Sequence, residues 1–410
     1  MIYVGVDIAK SDHCLGAIDA QAKVVHKPVR FTQNVEGWVR LASILRDLGG
    51  PGMVIIGFEA TGHYWVLLAE ELVRLGYTPL VFNPIMTADA GRTTVRGRKT
   101  DEDDSLAIAK VLRDGGFSPV RLPDAAMGNL KRLTRHRQGV VERSANLKKH
   151  LITLLDQVFP EFAALFSDPY GPTARAVLAK APSARLLASH HAKAFTALVR
   201  KASHGRLGLE RVQDILAKAR ASIAATRQDP ASELAIRQTI QEIALMEEQI
   251  AVCDAEIRAI PVASKALITT IPGIADVLGS VILAEIGDIS AFRRKPGDTS
   301  TADGFHRLLA FAGLDPRIRS SGQWTGKVRM SKRGSRALRT AVWRAAFIAC
   351  KHPAFADIYT KHRVTMKQHQ KIAISHVARK MVQAIYGVLH YQKPFDLDTF
   401  RHGVSRAKAA

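Results

Sequence analysis

Cysteine is scarce: the 410-residue chain has three, Cys14, Cys253 and Cys350. They lie far apart, with no C-x-x-C pair. That excludes a disulfide scaffold and a thiolate zinc module, and it fits a reducing, cytoplasmic compartment. Long apolar runs are missing too. None reaches the roughly 18 residues a membrane span needs, so no membrane partner is expected. Met1 to Asp7 has neither a basic n-region nor a signal cleavage site and reads as a strand. Acids are few: 37 Asp and Glu stand against 59 Lys and Arg, a formal net charge of +22. Such a surplus calls for a polyanionic partner, nucleic acid first and an anionic surface second. Hydrophobic content of 47% with 23% charged residues excludes a disordered chain and supports two or three domains with real cores.

The first domain, 1–118, reads as α/β. Ile2 to Ala9, Cys14 to Ile18 and Val24 to Phe31 are short β-rich runs, with a turn at Asp19-Ala20-Gln21. Asn34 caps a helix reaching about Leu48, with Val35, Trp38, Leu41, Ile44 and Leu45 at helical spacing. Met53 to Phe58 is a continuous apolar run, as a strand covered on both faces requires, and it ends in Glu59. A helix (Tyr64 to Leu75), a strand (Thr78 to Phe82) and a further helix (Ser105 to Arg113) follow. The order β-β-β-α-β-α-β-α is that of an RNase H-like or RuvC-like mixed sheet.

Four carboxylates stand out on this frame. Asp7 ends the first strand and Glu59 the apolar strand. Asp101 and Asp104 open the last helix, and their i, i+3 spacing puts them on one face. Taken singly, each has a plain alternative. Asp7 can be a strand-end turn residue, and Glu102 and Asp103 can serve the helix dipole behind a Thr100 cap. Together, clustered carboxylates repel unless cations bridge them, and hard oxygen ligands suit Mg²⁺ or Mn²⁺. Two such ions roughly 4 Å apart can clamp a phosphodiester. Arg92, Arg96, Arg98 and Lys99 form a basic strip just before the acids, placed to neutralise phosphate.

The middle region, 119–262, reads as a helical linker and coiled coil. A long helix is expected from Ala125 to Val158, with a seam through Leu130, Leu133, Val140, Leu147, Leu151, Leu154 and Val158. Lys131, Arg132, Arg135, Lys148 and Lys149 decorate it with few interleaved acids, which suggests a nucleic-acid-facing helix; a solvated face is the alternative. Residues 160–230 read as short helices broken at prolines, without a legible function. From Glu233 to Ile260 the residues Ile236, Ile243, Ile250 and Ile257 recur every seven, a second seam. Its partner is either the earlier long helix or another protomer. Cys253 belongs to its packing.

The C-terminal region, 263–410, is mainly helical. Leu267 to Ile274 followed by Val277 to Ile286 has the form of a helix-hairpin-helix whose Pro272-Gly273 turn exposes backbone N–H groups to phosphate. A basic helix (Gly334 to Cys350) and an amphipathic packing helix (Lys371 to Val388) come later. Between a core segment (Leu308 to Leu314) and the basic helix lies a Ser320-Ser321-Gly322 loop. Arg319, Lys327, Arg329, Lys332 and Arg333 surround it, a setting in which arginines hold phosphate and stabilise charge on its oxygens.

The ordered set Gly5-Val6-Asp7-Ile8-Ala9-Lys10, Glu59-Ala60-Thr61-Gly62, Asn83-Pro84, Lys99-Thr100-Asp101 with Asp104, Phe311-Ala312-Gly313-Leu314-Asp315-Pro316, Ser321-Gly322 and Arg329-Met330-Ser331-Lys332-Arg333-Gly334 resembles the DEDD transposases of the IS-one-ten insertion-sequence family, which includes the IS-eleven-eleven group. The resemblance implies a RuvC-like domain whose Asp7, Glu59, Asp101 and Asp104 form a Mg²⁺-binding catalytic set. It implies a C-terminal transposase domain with Ser321 as nucleophile, Ser320 being selected if the loop shifts by one residue. It further implies a covalent phosphoserine intermediate and partners in DNA, at element ends and target, and in a structured bridge RNA. A homodimer or homotetramer with a composite site, at work on the bacterial nucleoid, follows from it as well. Two other readings of the same residues are a metal-only structure-specific nuclease such as a junction resolvase, and a nucleic-acid-binding protein without catalysis.

Overall fold

The computed structural model describes residues 1–59, 62–82, 101–115, 124–292, 301–317, 320–321, 324–325 and 329–402. Two compact units divide the chain, Met1–Pro123 and Asp124–Ala410. The middle and C-terminal regions, expected as separate domains with a boundary near residue 262, share the second unit.

The first unit runs β1 (Ile2–Asp7), β2 (Asp12–Ile18), β3 (Val24–Thr32), α1 (Val35–Asp47), β4 (Val54–Glu59), α2 (Trp65–Arg74), β5 (Leu80–Phe82) and α3 (Asp101–Asp114). The sheet order is β3-β2-β1-β4-β5. β1 and β2 pair antiparallel, as do β2 and β3, while β4 lies parallel to β1 and β5 parallel to β4. A parallel return needs a crossover, and α1 and α2 supply it. Asn34 caps α1, its side-chain oxygen accepting from the Gly37 N–H at 2.8 Å. Alternate strand residues share a face. Val4, Val6, Ile56 and Phe58 pack on one side with Leu41, Leu45, Leu68 and Leu72 of α1 and α2. On the opposite side Tyr3, Ile55 and Phe82 meet Ile108 and Leu112 of α3.

Glycine lets α3 lie close on that second face. A Cβ at Gly5 would stand 2.1 Å from the Ser105 carbonyl oxygen, and one at Gly16 2.8 Å from Leu106. At Gly57 it would meet Leu80 O at 2.7 Å and Leu112 at 2.9 Å. These three central positions form a flat floor under the helix.

The second unit is helical. α4 (Ala125–Val158) is capped by Asp124, and α9 (Pro230–Ala259) by Asp229. They pack antiparallel along their length: Leu130 meets Ile257 near one end, Arg137 bonds Asp254, and Lys148 bonds Glu247. The partner of the Ile236–Ile257 seam is therefore the earlier long helix of the same chain. Between them, α5 (Pro172–Lys180), α6 (Ala184–Ala188), α7 (Ala192–Ala202) and α8 (Leu209–Arg220) close a core with Leu151, Phe159, Phe162 and Ile240. Then come α10 (Lys265–Ile268), α11 (Asp276–Ile286), α12 (Thr301–Phe311), α13 (Arg336–Ala349), α14 (Ala356–Thr360), α15 (Gln370–Tyr391) and α16 (Leu397–His402). α15 is the central element of this part, with Ile374, Val377, Met381 and Ile385 buried against α12 and α13. Among the described residues no helix is long and apolar enough to cross a membrane.

The Pro-Gly turn before α11 lies close against α13. Gly273 has φ +88°, and a Cβ there would strike the Ala345 carbonyl at 2.5 Å. The first turn of α11 carries Asp276.

Candidate functional site

Parallel pairing of Val6 with Phe58 sets Asp7 beside Glu59 at the carboxyl edge of β1 and β4. Both follow the alternation of Gly5 and Gly57, so both lie on the face that α3 covers. α3 begins at that edge. Its buried stripe, Ser105, Ile108, Ala109 and Leu112, turns the preceding Asp101 and Asp104 toward the sheet. Asp104 is half-buried, whereas Asp101, Glu102 and Asp103 are exposed. The Cys14 thiol, paired in register with Asp7, records the charge here. Burial chiefly raises its pKa, opposed by Ser105 and Arg30 and helped by the negative charge of Asp7 and Glu102.

Asp7 and Glu59 thus lie side by side at one end of the face over which α3, with Asp101 and Asp104 in its first turn, is packed. Asp101 is drawn aside: Arg30 of β3 donates to its Oδ2 at 2.7 Å. Among the described residues no group of three or more His, Cys, Asp or Glu side chains is arranged to hold a metal ion. The donor set, four carboxylates, has the hard oxygen chemistry of a Mg²⁺ or Mn²⁺ site. Closing it requires Asp101 to leave Arg30. The basic strip Arg92, Arg96, Arg98 and the neighbouring Asn83-Pro84 lie outside the described residues.

The serine segment is a hairpin rather than a simple loop. β6 (Pro316–Arg317) pairs with β9 (Arg329–Met330), and inside it β7 (Ser320–Ser321) pairs with β8 (Trp324–Thr325). Ser321 stands opposite Trp324, the last pair before the tip. Arg329 is placed by its backbone in β9, while Arg319 and Lys327 lie outside the described residues. The base of the hairpin is anchored. Ser331 N–H donates to Asp315 O at 2.9 Å, and its hydroxyl bonds the Asp315 carboxylate. Gly334, at φ +109°, passes so near Phe311 that a Cβ would lie 2.2 Å from its carbonyl oxygen. Lys332 and Arg333 are exposed just beyond.

Ser335 then caps α13, accepting from Leu338 N–H at 3.1 Å and donating to Glu285 Oε2 at 2.8 Å. Glu285 is 2% exposed and accepts two bonds from Arg135 of α4, at 2.7 and 3.0 Å. Burial would raise its pKa. Bonds from Arg135 and Ser335 and the charge of Lys131 outweigh this and hold the carboxyl below its ordinary value. A buried ionic junction therefore ties the start of α13 to the long helix. Glu285 did not stand out in the sequence; an acid in the apolar run Val281 to Ile286 was the available signal.

This junction divides the basic residues named on α4. Arg135 is committed to Glu285, and Lys148 to Glu247 at 3.1 Å. Lys131 is half-buried and its pKa is lowered, chiefly by burial. Arg132 and Lys149 are exposed; Arg132 reaches only Asn129 in its own helix, at 2.6 Å.

Two family profiles match this chain. A DEDD transposase profile covers residues 4–160, holding all four carboxylates. A profile described as the transposase IS116/IS110/IS902 family covers residues 265–360, holding the serine hairpin and α13. The chain is 27% identical over 410 residues to the IS116 uncharacterized 44.8 kDa protein of Streptomyces clavuligerus, covering 96% of each. It is 24% identical over 412 residues to the IS117 mini-circle protein of Streptomyces coelicolor, covering 96% of this chain and 95% of that one. The IS900 42 kDa protein of Mycobacterium paratuberculosis is 24% identical over 411 residues, at 95% of each. With residues 4–160 and 265–360 matched and the relatives aligned along nearly its whole length, the protein belongs to the IS110/IS116 transposase family.

Proposed function

We propose that this chain is an insertion-sequence transposase that cuts and rejoins DNA through the Ser321 hydroxyl, with the DEDD carboxylates supplying a divalent-metal site in a RuvC-like domain. What supports the reading is that Asp7 and Glu59 end neighbouring strands on the face covered by α3, whose first turn carries Asp101 and Asp104, in a sheet whose order, β3-β2-β1-β4-β5, suits an RNase H-like fold.

In this reading Ser321 Oγ attacks a DNA phosphorus. The Oγ–P bond forms as the P–O bond to one deoxyribose breaks, the serine loses its proton and the departing sugar oxygen gains one. One phosphodiester replaces another, so bond energy is kept for rejoining. A serine hydroxyl needs activation, and no credible base stands within a few residues of Ser321. Bound Mg²⁺ or Mn²⁺ would polarise the phosphate and favour the ionised serine. Asp7, Glu59 and Asp104 would hold it, joined by Asp101 on leaving Arg30. Lys332, Arg333 and Arg329 would neutralise the strand's phosphates. A bridge RNA as guide, and a dimer or tetramer that assembles a composite site, complete the proposal.

The test is a denaturing gel of protein incubated with labelled element-end DNA, guide RNA and Mg²⁺. A covalent adduct is expected with the wild type and none with Ser321→Ala, while DNA binding stays near wild type. Cleavage at the wild-type rate by Ser321→Ala would make water the nucleophile and the metal-only nuclease the better reading. An adduct lost in Ser320→Ala but kept in Ser321→Ala would move the nucleophile by one residue.

A further inference from the structure

One long stretch near the end of the chain has no acids. Between Ile358 and Phe395 there is no Asp or Glu, but there are seven Lys or Arg and four His. Much of this charge gathers at one place, the turn that joins α14 to α15. Lys361–Thr365 is a single π-helical turn, with Met366 N–H bonded to Lys361 O at 2.9 Å. Lys367 follows in the left-handed region at φ +50°, a conformation that favours glycine and that a lysine rarely holds without cause. Wide turns of this kind recur at functional sites. The outcome is that Lys361, Arg363, Lys367 and Lys371 are all exposed. Among the described residues none of them pairs with a carboxylate. Arg363 reaches only the Gln368 carbonyl, at 3.2 Å.

At the centre lie two imidazoles. His362 of the turn and His376 of α15 stack with ring centroids 3.5 Å apart and planes 3° from parallel. Gln368 Oε1 holds His362 Nδ1 at 3.0 Å. Two imidazolium ions could not share this stack without strong repulsion. α14 and α15 pack on the turn. Arg379 of α15 is the neighbouring cation that acts on His376; Lys380 is turned to Phe400 and Gln383, and Asp357 of α14 is engaged by Arg401 at 3.5 Å. Burial chiefly, then the charges of His362 and Arg379, hold His376 below its ordinary value.

We infer that the π-turn between α14 and α15 is a second phosphate-binding site for the DNA backbone, outside the carboxylate edge and the serine hairpin, and that it takes up a proton when DNA binds. Four exposed cations that pair with no carboxylate among the described residues attract phosphodiesters. A phosphate brought beside the stack supplies the negative charge the turn lacks, so it favours a protonated imidazole. DNA affinity then rises as pH falls from about 7.5 toward 5.5, across the range in which histidine titrates. Nothing here reads bases; the site positions the strand.

The site rests on the reading that the chain acts on DNA, and the experiment separates the two. Binding of full-length protein to a short fluorescent DNA duplex is followed by anisotropy at fixed ionic strength from pH 5.5 to 8. The variants are His362→Gln with His376→Gln, and Lys361→Gln with Arg363→Gln and Lys367→Gln. The wild type should bind up to about tenfold tighter at pH 5.5 than the histidine variant does, and equally at pH 8, one proton's linkage. The lysine–arginine variant should lose roughly two to three units from the slope of log affinity against log salt, near 0.9 per phosphate. Selective histidine labelling gives a second readout, in which the two ring signals should titrate higher once DNA is added. Superimposable pH profiles, or rings that do not respond, overturn this site while leaving the DNA reading intact. A response to an RNA duplex alone overturns the assignment to DNA. Failure of the wild type to bind DNA at any pH overturns both.

Discussion

Asp101 shows how much a single side chain can decide. Its bond to Arg30 is exposed on both sides, 62% and 52%, so it is worth no more than about 0–1 kcal/mol. In the proposed reading, a divalent cation between the carboxylates would outcompete it. Arg30→Gln should therefore lower the Mg²⁺ concentration needed for DNA cleavage, by a few-fold at most, and Mg²⁺ titration of activity checks this. Asp7→Asn, Glu59→Asn, Asp101→Asn and Asp104→Asn should each abolish cleavage with the fold retained, since removing a charge also relieves repulsion. Asp103→Asn should be tolerated, and a dead Asp103 variant beside an active Asp104 variant would shift the helix register. Arg135 poses the opposite case. Its partner Glu285 is buried, so Arg135→Ala strands a charge and should cost about 3 kcal/mol or more in chemical denaturation. Glu285→Gln leaves a half-exposed arginine and should cost less. In the wild type Glu285's folded pKa is depressed. The stability it contributes is full above its ordinary pKa near 4.5 and is lost as pH falls through the lower folded value. In Arg135→Ala burial dominates, and acidification should recover stability instead.

At the scale of elements, the lean of α3 on the sheet is what brings β1, β4 and the acidic turn together. Gly5→Val tests it. With the Ser105 carbonyl 2.1 Å from the new Cβ, backbone must move, and overpacking of this kind costs about 1–3 kcal/mol or more. The variant should lose metal-dependent cleavage while DNA binding by the second unit persists, measured side by side. Strands, crossover helices and both long helices were legible from residue pattern, because apolar period and caps such as Asn34 and Asp124 act locally. α4 was read with the same ends it has, Ala125–Val158. The glycine floor was not legible, since Gly5, Gly16 and Gly57 only make sense once the strands are side by side. Nor was the partner of α9, because a heptad seam does not name what it packs against. The contact of the Pro272-Gly273 turn with α13 was not legible for the same reason: the form of the turn is local, but its neighbour is not. The Ser320-Ser321 segment read as a loop because two-residue ladders leave no periodic trace.

Over the whole molecule, charge is sorted rather than spread. Pro316 to Phe395 carries 17 Lys and Arg and a single acid, Asp357, out of a chain total of 59 and 37. The long helix α4 looked equally basic in sequence, but Arg135, Arg137 and Lys148 are spent on Glu285, Asp254 and Glu247. Exposed, uncommitted charge is what displaces counterions, so the two surfaces should differ in salt dependence. Replacing Lys332, Arg333 and Arg336 by Gln should take roughly two to three units off the slope of log affinity against log salt, at about 0.9 per phosphate. The Arg336 contact with Glu142, 3.4 Å and largely exposed, is too weak to prevent this. Replacing Arg132 and Lys149, the exposed pair on α4, tests that helix without touching a buried ion pair. A loss of about two units would place DNA along α4, and an unchanged slope would give that face to solvent. Arg135 must stay out of the comparison, because its loss acts on stability first and would imitate a binding defect. If the Lys332–Arg336 variant keeps the wild-type slope, the surface beside the serine hairpin does not meet the backbone, and the basic setting assigned to Ser321 fails with it.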